Sequence, residues 1–338
     1  MSAPIHRAHL PGGENATLED LRNLSQRLLE ALTRMVRLWY ERLFGPTARD
    51  LLGRSLLLLF SITTSLVIVG IFILLWAESL PALSSLGLGI FGPVWDPNRN
   101  LFGIAVFITG TLWVSSFAIL LAVPLGIGGA LFLSEYCPER IRLPLRMILE
   151  LMAAIPSIVY GLWALKTLVP ALRNTFQPLV SYYSGFGVLA GAIILAVMLL
   201  PTVVAVSEDA MRMVPDTLRE ASYALGASRT ETARRVVLST ALPGIGAAVL
   251  LSLGRAIGET MAVLMVTGNS LVFPVSIFDQ TYVMTSVLAN QLGYALADPL
   301  YRSALFSVAL ALLLVSVTFT TLGRMAIRWG MRRKGLRR

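Results

Sequence analysis

Six apolar stretches, each long enough to cross a hydrocarbon layer, constrain this chain more than any other feature of its sequence. They lie near 55–77, 104–133, 148–169, 186–206, 241–267 and 303–323, and a bilayer core asks for about 20 apolar residues in a helix. Charged residues make up only 14% of the 338, against about 25% in a soluble domain, and mean hydropathy is +0.73. An ordinary soluble enzyme, a disordered chain and a collagen-like chain are excluded. The expected fold class is an all-α polytopic membrane protein with six transmembrane helices. In the second stretch Pro124, Gly126, Gly128 and Gly129 predict either a kink or the close approach of a neighbour.

The net charge of +9 is topological. Of the 28 Lys and Arg, 23 fall in the segment through Arg54, the 134–147 loop, the 207–240 loop and the tail from Arg324. An even number of spans puts these on one face, and the positive-inside rule makes that face, with both termini, cytoplasmic. A nucleic-acid partner is therefore not expected. Three regions follow: an N-terminal cytoplasmic arm over 1–50, a six-helix membrane domain over 51–325, and a basic tail over 326–338. Within the arm, Leu18, Leu21, Leu28, Leu32, Val36, Trp39 and Leu43 recur at helical spacing among arginines. That pattern predicts a basic amphipathic helix over 17–44, lying on membrane lipids or against a partner. It lacks the continuous apolar core of a signal peptide.

Residue usage removes several chemistries. Cys137 is the one cysteine, and His6 and His9 are the one pair of histidines, so an intrachain disulfide, a thiolate cluster and a histidine-based metal or triad site in the membrane are excluded. Neither Lys166 nor Lys334 follows a glycine, so no Gly-Lys-Ser/Thr loop is present to hold nucleotide phosphates and magnesium. No cofactor, metal or catalytic residue is expected on this chain. If its work consumes ATP, a partner binds the ATP.

The 207–240 loop has the marks of an ordered element. Pro215 suits a helix start, Asp216 and Glu220 favour the positive end of that helix, and Gly226 permits a sharp turn. A second helix is expected from about Ser228, with Pro243 near the start of the fifth span. Two helices around a turn fit a groove on another protein and can pass on a rigid-body push. Glu220-Ala221-Ser222, with Gly226 six residues after the glutamate and then Val236-Val237-Leu238, resembles the EAA loop of ABC importer permeases. Ser222 stands for the usual alanine, Val236 for isoleucine and Ser239 for proline. The resemblance implies that Glu220, Ala221 and Gly226 belong to the loop that couples to an ATP-hydrolysing subunit.

The fifth span contains Arg255 and Glu259, four residues apart and so expected to share a face and pair within one helix. One ionised group at mid-bilayer costs about 3 kcal/mol on insertion scales. The pair must therefore be compensated by each other, by water or by a substrate. Gly254 and Gly258 form a small-residue strip suited to close helix packing. The arginine fork suits a tetrahedral oxyanion, and a purely structural pair remains the alternative.

The stretch Arg255-Ala256-Ile257-Gly258-Glu259-Thr260-Met261-Ala262-Val263 resembles the signature of phosphate-specific ABC permeases, with a Met-Ala-Val ending like the PstC branch rather than the PstA branch. Ala122-Val123-Pro124-Leu125-Gly126, Phe132-Leu133-Ser134-Glu135-Tyr136, Ile155-Pro156-Ser157 and Trp95-Asp96-Pro97 agree in order. The resemblance implies a type I importer (MetI-like) fold in a prokaryotic cell membrane. It also implies a heterodimer with a PstA-like permease, two PstB-like ATPases carrying ATP and magnesium, and an extracytoplasmic PstS-like phosphate-binding protein. Arg255, Glu259 and Thr260 would then line the phosphate pathway or gate. Another tetrahedral oxyanion as substrate, or an ATP-independent channel or carrier, are the alternatives.

Overall fold

The computed structural model describes residues 26–27, 30, 33–35, 37–38, 46–295 and 297–333. The expected amphipathic helix over 17–44 lies largely outside them, as does the end of the basic tail. The chain divides between Ile71 and Phe72 into two compact units.

Helix α1 (Pro46–Leu86) crosses that division. Leu57, Ile62, Leu66 and Ile68 are all exposed along it, as suits side chains that face lipid. A turn and a two-residue hairpin pairing Trp95 with Phe102 follow; with an isolated bridge between Gly268 and Thr281 it is the β structure among the described residues. Asp96 caps the hairpin turn by accepting from the Asn98 amide at 3.1 Å, and Asn100 closes it with φ +55°. The Trp95 indole donates to Gln291 at 3.2 Å.

Helix α2 (Ala105–Leu131) runs straight into a π-helical turn, Phe132–Tyr136. Gly110, Val114, Ala118, Ala122, Gly126 and Ala130, at every fourth position, are all buried. In lipid the outside of a helix is as apolar as the inside, so small residues rather than greasy ones mark the packed ridge. The expected choice between a kink and close approach resolves toward approach. α2 continues through Pro124, and a Cβ on Gly126 would come within 2.5 Å of Val203. Val203 belongs to α6 (Val188–Arg212), which carries buried residues along its length from Val188 to Met211 and packs against α2 and the helix Leu242–Gly258. The N-terminal amides of α6 are satisfied by a later loop, Val188 by the Asp279 carbonyl at 3.0 Å and Leu189 by that of Ile277 at 2.9 Å.

The third expected span, 148–169, is corrected to a broken one. Helix α3 (Glu139–Ala154) meets α4 (Ser157–Trp163) at 93°, and α4 continues through a π turn into α5 (Val169–Phe176). Pro156 disfavours the helical region for Ile155, which sits at ψ 128°. Tyr160 bridges the break by donating to the Met152 carbonyl at 2.8 Å. α3 is held to the end of α6 by charge. Arg146 bonds Asp209 at 2.8 and 3.3 Å, while the fully buried Glu208 has Arg142, Arg146 and Arg212 at 3.9–4.0 Å.

The 207–240 loop forms α7 (Asp216–Ala224) and a second arm of α8 (Arg229–Glu231), a π turn, and α9 (Leu238–Thr240). A 67° bend at Ala241 leads into α10 (Leu242–Gly258), with Pro243 in its first turn. This bend supplies the exit that the missing proline at Ser239 left open. Then come α11 (Met261–Val266), α12 (Met284–Ala295) and α13 (Pro299–Arg333). Among the described residues four helices are long and apolar enough to span a membrane, and the two bent pairs, each taken as one span, raise the number to six. α13 runs as helix to Arg333, into the first part of the expected basic tail.

Candidate functional site

The fifth span does not run as one helix from 241 to 267. α10 ends at Gly258, Glu259 is extended with ψ 132°, and α11 begins at Met261. This overturns the expected pairing: Arg255 and Glu259 do not form an ion pair within a helix, because the turn that would bring them together is unwound. The Glu259 carboxylate instead accepts from the amides of Thr260 at 3.1 Å and Ala262 at 3.4 Å. It satisfies amides at the start of α11, where a negative charge is favoured. Arg255 lies in the last turn of α10, where a positive charge is favoured for the same reason. It is half-buried, and among the described residues no carboxylate lies within ion-pair distance of it.

Broken backbone at membrane depth must find its hydrogen bonds in neighbouring protein. Three side chains supply them here. Ser115 of α2 donates to the Ala256 carbonyl at 3.5 Å, Thr285 of α12 donates to the Glu259 carbonyl at 2.8 Å, and Thr260 turns back to the Gly258 carbonyl at 3.4 Å. Thr111, one turn from Ser115, accepts from the Met284 amide at 2.9 Å and so fixes the start of α12 against α2. Thr111, Ser115, Glu259 and Thr285 line a cavity of about 10 Å³, room for about one water. Sequence reasoning missed Thr111, Ser115 and Thr285. A single hydroxyl in an apolar run is a weak sign, although Thr111 and Ser115 do lie four residues apart beside the small-residue ridge.

Gly254 and Gly258 are exposed, and a Cβ on either would meet nothing within 4 Å. The close packing expected of them is not supplied by this chain, and the strip faces outward beside Arg255. Thr285→Val removes the hydroxyl under the Glu259 carbonyl at constant shape. We expect a stability loss of about 1–2 kcal/mol and slower transport; a thermal melt of the purified complex unchanged from wild type would contradict it.

The second group of expected residues lies beyond the other end of α10, in the two arms that precede the bend at Ala241. α7 ends in a Schellman motif: the Gly226 amide donates to Tyr223 at 2.9 Å and the Ala227 amide to Ser222 at 3.2 Å, with Gly226 at φ +82°. Ser228 starts the second arm with a reciprocal cap to Glu231. Ser222, the substituted alanine, bridges the arms through its hydroxyl, 2.9 Å from that of the buried Thr232. Glu220, Ala221 and Gly226 are exposed, and Leu218, Tyr223 and Leu225 present apolar surface beside them, Leu225 being 90% exposed.

Residues 122–329 match the family described as binding-protein-dependent transport system inner membrane component. The chain belongs to this family of permeases. The permease is 42% identical over 269 residues to the phosphate transport system permease protein PstC of Mesorhizobium japonicum, covering 75% of this chain and 81% of the relative. It is 34% identical to the protein of the same name from Pasteurella multocida over 85% and 91%. A probable ABC transporter permease protein of Bacillus subtilis, YqgH, is 40% identical over 68% and 74%. The fold is shared with a chain of the inward-facing MetNI methionine ABC transporter, TM-score 0.51 at 20% identity over 69% and 98%. A chain of a bacterial alginate importer gives TM-score 0.54 at 16% identity over 86% and 98%.

Proposed function

We propose that this permease is the membrane subunit of an ATP-driven importer that carries inorganic phosphate. The observation that carries the reading is the break in the fifth span. There a half-buried arginine, with no acidic partner among the described residues, stands beside an unwound turn where the Glu259 carboxylate is held by backbone amides and the Glu259 carbonyl by Thr285. An arginine so placed is costly unless something anionic meets it, and broken helices at membrane depth are where transporters hold their substrates. The relatives named for phosphate transport support phosphate as that anion.

The remaining parts follow as one assembly. The outward Gly254–Gly258 strip suits a PstA-like permease, whose close approach would complete the pathway around Arg255, Glu259 and Thr260. The exposed face of α7 suits a PstB-like ATPase, one of two, holding the ATP and magnesium for which this chain has no Gly-Lys-Ser/Thr loop. A PstS-like binding protein would deliver phosphate to the 78–102 and 268–302 loops. Both termini lie in the cytoplasm of a prokaryotic cell on this reading, because the basic loops do.

The test is labelled-phosphate uptake into proteoliposomes holding this chain with its permease and ATPase partners, binding protein outside and ATP inside. Uptake that needs both is the expected result. Uptake without ATP would establish a carrier instead. ATP hydrolysis stimulated only by the binding protein of another oxyanion would keep the machine and replace the substrate.

A further inference from the structure

The π-helical turn at the end of α2 grips both arms of the coupling loop. Glu135, 9% exposed, takes the guanidinium of Arg219 on α7 at 3.0 Å. The same guanidinium donates to the Met211 carbonyl at 3.0 Å and the Val214 carbonyl at 2.5 Å, and meets Asp216 at 3.0 Å. Ser134 donates to the Glu135 carboxylate at 2.8 Å. On the second arm, Arg229 donates to the Glu135 carbonyl and lies 5.2 Å over the Tyr136 ring, whose hydroxyl meets Thr230 at 3.3 Å. One short turn thus binds α7 by a buried charge pair and α8 by its backbone and an aromatic face.

The other end of that path is the break in the fifth span. From Glu135 back to Ser115, the π turn and α2 form one continuous helical rod about 30 Å long at 1.5 Å per residue, with the small-residue ridge of α2 set into α6. Ser115 and Thr111 on the same helix hold the Ala256 carbonyl and the start of α12.

We propose that Glu135 is a positioning residue for transport: through Arg219 and Arg229 it fastens the coupling loop to α2, so that a push on the loop reaches the broken fifth span. This rests on the reading of α7 as the ATPase-docking element. Without the Glu135 carboxylate, Arg219 keeps Asp216 and two carbonyls, so α7 stays folded and its exposed face is unchanged. What is lost is the charged tie between α7 and α2, while the second arm keeps its contacts to the backbone carbonyl of residue 135 and to Tyr136.

The experiment uses the full reconstituted complex with Glu135→Gln, Glu135→Ala, Arg219→Ala and the double variant. ATPase recovery and ATP hydrolysis are expected to stay near wild type, while phosphate moved per ATP falls by about tenfold or more in Glu135→Ala, as for one partner of a buried pair removed. The double variant is expected to be no worse than the more impaired single one. Glu135→Gln, which keeps volume and an acceptor, is expected to fall between. An unchanged phosphate-to-ATP ratio in Glu135→Ala would overturn the proposal, as would loss of ATPase from the Glu135→Gln complex, since Glu135 would then serve docking. A Leu225→Cys cross-link to the ATPase, made in the otherwise wild-type chain, separates the two readings. Its absence would overturn the docking assignment and the proposal with it. Its presence with an unchanged ratio would overturn the role of Glu135 alone.

Discussion

Arg255→Ala is expected to lower phosphate uptake by about a hundredfold or more, the loss that follows truncation of a desolvated charge contact, with the amount of assembled complex near wild type. The structure gives the reason for the second half. Were Arg255 and Glu259 a buried pair, removing one would strand the other. Glu259 is instead held by the Thr260 and Ala262 amides, so the alanine variant leaves no uncompensated partner in this chain. Arg255→Lys keeps the charge and loses the planar fork, and its uptake should fall between the two. The check is uptake alongside complex yield in the same preparations; wild-type uptake in Arg255→Ala would remove Arg255 from the pathway.

Gly226→Val is expected to strip the ATPase from the purified complex. The cause is conformational. At φ +82°, with both Schellman bonds made across it, a β-branched residue costs about 1–3 kcal/mol and re-aims the turn between α7 and α8. Crowding within the chain plays no part, since a Cβ there meets nothing within 4 Å. Asparagine tolerates the left-handed region, so Gly226→Asn should retain the ATPase. Co-purification of the ATPase measures both variants, and a wild-type yield with valine would end the assignment of this turn to docking.

These two sites were legible to different degrees, for physical reasons. The 207–240 loop is local: Pro215, Gly226, Ser228 and Glu231 each act on their own backbone, so their order in the chain already describes the helix–turn–helix seen in the structure. Arg255 and Glu259 stood out as charges in an apolar run, yet their relation was misread, because helical spacing assumes a helix. Whether the helix continues past Gly258 depends on Ser115 and Thr285, 144 and 26 positions away from Glu259 in the chain, accepting the task of its freed carbonyls. The third span broke for a reason that was in plain view at Ile155-Pro156, but the apolar run there continues through the bend and hides it.

The sequence by itself determined the apolar spans and their order, since hydrocarbon admits no other kind of segment of that length. It also determined the turn at Gly226. The tertiary structure decided which face of each span is inside, because lipid and protein interior are equally apolar and hydrophobic pattern cannot separate them. It decided, too, that Glu135 holds Arg219 and that Glu259 caps a helix rather than pairing with Arg255, since buried charges take partners by proximity in space, across many residues of chain.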